Sequence, residues 1–118
     1  MLRAVLPVMR TQGTGRVVAI GSRTAQMPAA GLGVYSASKA ALVRLISTVA
    51  LENKDAGITA NTILPGTMNT PANRAAMPHA DSTRWVDPAQ VAAMCVHMAS
   101  DISSHVNGAV ISIYGGEL

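Results

Sequence analysis

Three short apolar segments constrain the fold of this chain more than any other feature. Residues 16–21, 58–64 and 109–114 are rich in β-branched and aliphatic side chains, and turn residues such as Gly57 and Gly115 bound them. The first segment is continuously apolar after Arg16, which favours a strand covered on both faces, as in parallel sheets. The pattern predicts three strands.

Helical segments alternate with these strands. Residues 1–12 carry apolar side chains at helical spacing and are followed by Gly13, although Pro7 limits them to a short helix or part of a longer one. Residues 35–51 are rich in Ala and Leu, and Asp87-Pro88 supplies an N-cap and a first-turn proline for a helix over 89–100. The alternation predicts an α/β fold with three parallel strands, right-handed crossovers and one domain over residues 1–118.

Two connections carry little helical or strand pattern. Residues 23–33 contain Pro28, Gly31 and Gly33 and are predicted as a loop. Residues 67–86 are polar, and a loop of that length in a compact domain usually has a function. We interpret them as a lid or substrate loop.

Composition excludes several functional classes. The nine Lys and Arg residues are scattered singly and only three aromatic residues accompany them, so no nucleic-acid footprint is present. We expect no membrane association, because no apolar run reaches the ~18 residues of a span and no signal sequence is visible. The lone Cys95 is interpreted as a core residue, the spacing of the three histidines suits no metal site, and the cytoplasm is the expected compartment.

Three sequence elements place reactive groups near one another. Tyr35 and Lys39 are four residues apart at a helix start, so both lie on one face, where a cation favours the phenolate and suits Tyr35 to proton transfer. Ser22 and Pro65-Gly66 each follow a strand, and ligands bind at the carboxyl edge of such sheets. Ser22 is therefore a candidate hydrogen-bond donor to a substrate carbonyl.

Together these motifs resemble those of short-chain dehydrogenases/reductases. The resemblance rests on Ile-Gly-Ser22, Tyr35-x-x-x-Lys39, Asn61-Thr-Ile-Leu-Pro65-Gly66 followed by Thr70, and Ile113-Tyr-Gly-Gly116. It implies the C-terminal half of a doubly wound, Rossmann-like fold and the use of NAD(P) on a carbonyl or alcohol substrate.

The resemblance also implies a role for each matching residue. Tyr35 would be the acid/base, Lys39 would lower its pKa and bind the nicotinamide ribose, and Ser22 would orient the carbonyl. Pro65, Gly66, the Met68 backbone and the Thr70 hydroxyl would bind the nicotinamide.

The chain departs from the family pattern where a dinucleotide's diphosphate would bind. No glycine-rich loop follows a strand and opens a helix, since Gly13-x-Gly15 precedes a strand and Gly31-x-Gly33 follows a loop. If these 118 residues are the entire protein, we expect little NAD(P) affinity. The exposed edge of the first strand and the apolar faces of its flanking helices predict a homodimer or higher homo-oligomer.

Three functions stay open at this point. The first is an oxidoreductase that uses Ser22, Tyr35 and Lys39 with NAD(P). The second is a cofactor-independent serine hydrolase acting on an ester, with Ser22 as nucleophile and Tyr35 as its base. The third is a non-catalytic remnant of the family.

Overall fold

The computed structural model describes residues 1–117. It has an α/β architecture in which helices and parallel strands alternate, as the sequence predicts. The helices are α1 (Leu2–Gln12), α2 (Gly33–Asn53), α3 (Pro71–Ala76) and α4 (Pro88–Ala99), and the strands are β1 (Gly15–Ile20), β2 (Ile58–Pro65) and β3 (Val110–Ile113).

Strand β2 lies at the centre of the sheet, in the order β1-β2-β3. All eight of its residues are buried, and it pairs in parallel with both neighbours. The register places Ile20 opposite Ile63 and Ile113 opposite Pro65, so the three strands end at one edge of the sheet. This edge is where ligands bind in open α/β sheets.

Helices cover the two faces of the sheet. On one face, Ile46, Val49 and Ala50 of α2 form a buried cluster with Ala60 of β2, and α1 packs against this cluster. On the other face, Val91 of α4 forms the second cluster with buried residues of β2 and of the segment before α4. Half-buried Cys95 contacts that second cluster, in agreement with its interpretation as a packing residue.

The burial predicted for the first strand is wrong. Residues 16–19 of β1 are only half-buried and Ile20 is 40% exposed, because β1 is an edge strand with β2 as its one neighbour among the described residues. The fully buried strand is β2. Its buried polar residues Asn61 and Thr62 make its sequence less continuously apolar than that of β1.

Helix α2 is longer and more apolar than the sequence interpretation anticipated. The helical stretch Gly33–Ala56 is long and apolar enough to cross a membrane by length and composition alone, whereas no such segment was expected. The core helix of a globular protein can be as long and as apolar. Only 17% of the apolar stretch in α2 is buried, and its buried residues Ile46, Val49 and Ala50 pack on the sheet.

The segment 67–86 is not a plain loop, which corrects the sequence prediction. It contains α3 and a single 3-10 turn over Ser82–Arg84. Helix α3 begins as α4 does, with a polar N-cap followed by proline: the Thr70 hydroxyl accepts from Asn73 N, and Asp87 Oδ1 accepts from Ala89 N.

Substitution of Gly57 by alanine will destabilise the fold more than the same change at Gly13. Both residues have positive φ, +68° and +69°, so both variants incur backbone strain of about 1–2 kcal/mol. A Cβ at Gly57 would also overlap Gly13 O, whereas a Cβ at Gly13 meets nothing within 4 Å. Urea unfolding of both variants measures the difference, and equal losses would contradict the predicted clash.

Candidate functional site

A cavity of about 380 Å³ lies at the carboxyl ends of β1 and β2. Five of the residues singled out from the sequence line it: Ser22, Tyr35, Pro65, Gly66 and Met68. Its remaining walls are mostly apolar and include Ile20, Ala29, Leu32 and Met77. An apolar pocket with a few polar groups that converge is typical of small-molecule sites.

Ser22 lies immediately after β1 and caps the 3-10 turn Arg23–Ala25. Its Oγ accepts hydrogen bonds from Thr24 N at 3.3 Å and from Thr24 Oγ1 at 3.1 Å. A serine hydroxyl has two lone pairs and one proton. With both lone pairs engaged by Thr24, the hydroxyl is left as a donor to an acceptor in the cavity.

Tyr35 and Lys39 lie in the first two turns of α2, as their spacing predicts. Lys39 Nζ is 5.5 Å from the centroid of the Tyr35 ring, which is cation–π contact distance. Tyr35 is 45% exposed and lines the cavity, whereas half-buried Lys39 lies over its ring and is not among the described lining residues. Lys39 therefore contacts Tyr35, which lines the cavity, and does not itself line the cavity.

The turn after β2 forms another part of the cavity wall. Gly66 N donates to Ile113 O at 2.8 Å, which ties the turn to β3. The Met68 carbonyl accepts from Thr70 N at 2.9 Å and from Asn73 Nδ2 at 2.8 Å. This carbonyl is therefore already satisfied within the chain.

Like Lys39, Thr70 is a predicted site residue that does not line the cavity. Its hydroxyl caps α3 by accepting from Asn73 N at 3.2 Å. The sequence interpretation also missed Thr67 and Asn73, which line the cavity. The Thr-Pro pair that opens α3 is the local signal that could have located Asn73.

Comparison with known proteins agrees with this geometry. The sequence profile of the family described as enoyl-(acyl carrier protein) reductase matches residues 1–117. The chain belongs to the short-chain dehydrogenase/reductase family.

Individual members of the short-chain dehydrogenase/reductase family are similar to the chain over almost its entire length. It is 32% identical to dehydrogenase/reductase SDR family member 6 of Rattus norvegicus over 98% of the chain and 54% of that protein. A short-chain type dehydrogenase/reductase from Mycobacterium ulcerans superposes with a TM-score of 0.91 at 28% identity, covering 98% of this chain and 46% of its own.

A third similar protein was solved with a bound cofactor. A gluconate 5-dehydrogenase from Burkholderia cenocepacia, solved with NADP and tartrate, superposes with a TM-score of 0.88 over 98% of this chain and 49% of its own. Its identity of 23% makes it evidence for the fold alone. The chain spans about half the length of each of these short-chain dehydrogenases/reductases.

Within residues 1–117, no group of three or more His, Cys, Asp and Glu side chains is placed to hold a metal ion. A second cavity of about 420 Å³ adjoins the first and shares Arg23 with it. Asp81 and Arg84 also line this second cavity. Hydrogen bonds from the Thr83 hydroxyl and the Thr83 backbone N–H lower the pKa of Asp81, and nearby Arg84 lowers it further.

Removal of the Thr83 hydroxyl will raise the pKa of Asp81 toward its ordinary value. The hydroxyl is the largest cause of the lowering, and Thr83 Oγ1 donates to Asp81 Oδ1 at 2.5 Å. Since the pKa of Asp81 is lower in the folded state than in the unfolded state, the ionised carboxylate stabilises the fold at any pH above its unfolded-state pKa. This stabilisation is lost as the pH falls through the folded-state pKa. Thr83→Val will therefore make the free energy of unfolding less dependent on pH in the acid range.

Carboxyl NMR titration of Asp81 checks this expectation. Thr48→Val is the matched control, since Thr48 Oγ1 donates to Arg44 O on the distant helix α2. An unchanged Asp81 titration in Thr83→Val would contradict the assignment.

Proposed function

We propose that this chain carries the acid/base and nicotinamide-facing part of an NAD(P)-dependent oxidoreductase that acts on a small carbonyl or secondary alcohol. The convergence of Ser22, Tyr35 and the 65–68 turn on one cavity carries the proposal. Membership in the short-chain dehydrogenase/reductase family supports the reaction class.

The proposed proton transfer uses side chains already in place. In reduction, the Tyr35 hydroxyl donates its proton to the carbonyl oxygen, and the nearby ammonium of Lys39 stabilises the phenolate that forms. Ser22 donates a hydrogen bond to the same oxygen, because Thr24 already occupies its lone pairs. In oxidation of an alcohol, Tyr35 accepts the proton.

The cavity suits a nicotinamide ring. Ile20, Pro65 and Met68 supply apolar lining, and Ser22 and Asn73 supply polar groups. This combination suits an aromatic ring that carries one amide. When bound, the nicotinamide would give or take the hydride. Pro65, Gly66 and Met68 would hold the ring. Thr70 and Lys39 lie outside the cavity wall, and their roles at the amide and the ribose rest on the family resemblance.

The described residues hold no glycine-rich loop between a strand and a following helix, where a diphosphate binds in dinucleotide folds. We therefore expect this chain to contact the nicotinamide end, while other residues or a partner subunit bind the diphosphate. NADPH and NADH will then bind weakly to the chain alone, and fluorescence titration measures this.

Replacement of the proposed acid will strongly slow turnover. We expect Tyr35→Phe to slow NADPH-dependent reduction of diacetyl by about 100-fold or more, the range for loss of a general acid. Ser22→Ala will slow it too, while the exposed control Ser104→Ala will not. Loss of NADPH fluorescence follows the reaction, and a Tyr35→Phe variant as fast as wild type would exclude the mechanism.

The same variants discriminate the hydrolase alternative, which stays a prediction. Hydrolysis of p-nitrophenyl acetate that disappears in Ser22→Ala and Tyr35→Phe, without NADPH binding, would replace the oxidoreductase proposal by an esterase. Absence of both activities in the wild type would favour a non-catalytic remnant.

We also propose that the chain self-associates through the face formed by α1 and the edge of β1 that lies away from β2. Its accessible surface is 7153 Å², whereas a compact monomer of 12.1 kDa exposes about 6,000 Å². The excess is comparable to the area that one subunit contributes to a stable dimer. Exposed Val5 and Val8 of α1 belong to this face.

An isologous dimer or higher assembly of wild type is expected in light scattering. Val8→Glu on α1 will dissociate it, because a charge in an apolar interface must be desolvated. Val96→Glu, an exposed valine on α4 across the sheet, is the control and will not. A wild-type mass equal to that of the monomer at high protein concentration would contradict the proposal.

A further inference from the structure

The segment that follows β3 contacts both loops that form the candidate cavity. Glu117 Oε2 accepts a hydrogen bond from Thr67 N at 2.7 Å, on the turn that follows β2. The same oxygen lies 3.2 Å from Arg23 Nη1, which also donates to Glu117 O at 3.3 Å. Glu117 thus links Arg23, which follows Ser22, to Thr67, which follows Gly66.

These contacts are partly shielded from water. The Glu117 side chain is 15% exposed and that of Arg23 is 29% exposed. A carboxylate that accepts from a backbone N–H forms a charge-assisted hydrogen bond, which is shorter and stronger than a neutral one. Partial burial limits the solvent screening that weakens ion pairs at an open surface. The Glu117 carboxylate is therefore a firm tie between the two loops.

Gly66 allows this carboxylate to reach its partner. A Cβ at residue 66 would lie 2.6 Å from Glu117 Oε2 and 3.0 Å from Tyr114 O. Any side chain at that position would push the Glu117 carboxylate from the turn and weaken its hydrogen bond to Thr67. The close approach accounts for glycine here by packing within the chain, independently of any ligand.

The segment that carries Glu117 is itself held in place. Arg84 Nε donates to Gly116 O at 2.8 Å, and Gly116 N donates to Arg84 O at 2.9 Å. The Tyr114 hydroxyl donates to Gln26 Oε1 at 3.0 Å, which is a second tie to the chain after Ser22. Glu117 is thus anchored on one side and connects the two cavity loops on the other.

We infer that Glu117 is a positioning residue, which sets the distance between the Ser22 loop and the 65–68 turn and so the width of the cavity. The inference rests on the proposed function for its consequence, the binding of a nicotinamide between these two walls. Glu117 touches neither reacting atom and acts through Arg23 and Thr67. Its carboxylate also balances the Arg23 charge beside the cavity.

Amide hydrogen exchange at Thr67 tests the tie directly, because it requires no activity. Glu117→Ala removes the acceptor, and we expect Thr67 exchange to accelerate by about tenfold or more, as for loss of a charge-assisted hydrogen bond. Glu117→Gln keeps an oxygen acceptor and will restore exchange to near the wild-type rate. Glu52→Ala, at an exposed glutamate on α2, is the matched control and will leave Thr67 unchanged.

NADPH titration of the same four proteins tests the consequence. We expect affinity to fall several-fold in Glu117→Ala and to recover in Glu117→Gln, with thermal stability of both close to that of Glu52→Ala. Unchanged exchange at Thr67 in Glu117→Ala would overturn the inference. Faster exchange with unchanged NADPH affinity would also overturn it, because the tie would then position nothing.

The two proposals fail differently. If wild type binds no NADPH, the proposed function fails, and Thr67 exchange together with backbone shifts of Ser22 and Gly66 in Glu117→Ala decides the inference alone. Shifts in both loops support it, and shifts confined to Thr67 overturn it.

Discussion

The buried central strand β2 determines where every part of the candidate site lies. Its start is joined to the turn before β3 by two side-chain amides. Ala60 N donates to Asn107 Oδ1 and Ala109 N donates to Asn61 Oδ1, both at 2.9 Å. Asn61 is fully buried, so these bonds satisfy polar groups that would otherwise be costly. They fix the start of β3 and hence the position of the segment that carries Glu117.

Sequence reasoning located the part of the site that follows from periodicity. Parallel strands end at a common edge, so Ser22 after β1 and Pro65 at the end of β2 were predicted to converge, and both line the cavity. Tyr35 and Lys39 lie together because helical residues four apart share a face. These predictions need only the type and order of the elements, which the apolar pattern supplies.

The features that the sequence did not predict depend on distant or neighbouring surfaces. Thr67 and Glu117 are separated by 50 residues and Arg23 and Glu117 by 94, and no local pattern relates such positions. The half-burial of β1 depends on what lies beside its outer edge, which its own apolar sequence does not encode. Helix α3, by contrast, could have been predicted from the sequence. Its Thr70-Pro71 cap has the same form as the Asp87-Pro88 cap, from which α4 was predicted correctly.

Arg23 and Lys39, the two cations near the cavity, differ in whether they form an ion pair. Arg23 is paired with Glu117, so the guanidinium beside Ser22 holds the loop without adding net charge to the cavity. Lys39, by contrast, forms no ion pair with any residue of the described chain, and its ammonium lies over Tyr35. The proposed proton transfer needs a cation beside the phenol, because a cation favours the charged form that remains after the proton leaves. Arg23 is paired with Glu117, so Lys39 is the unpaired cation that the proposed reaction would use beside Tyr35.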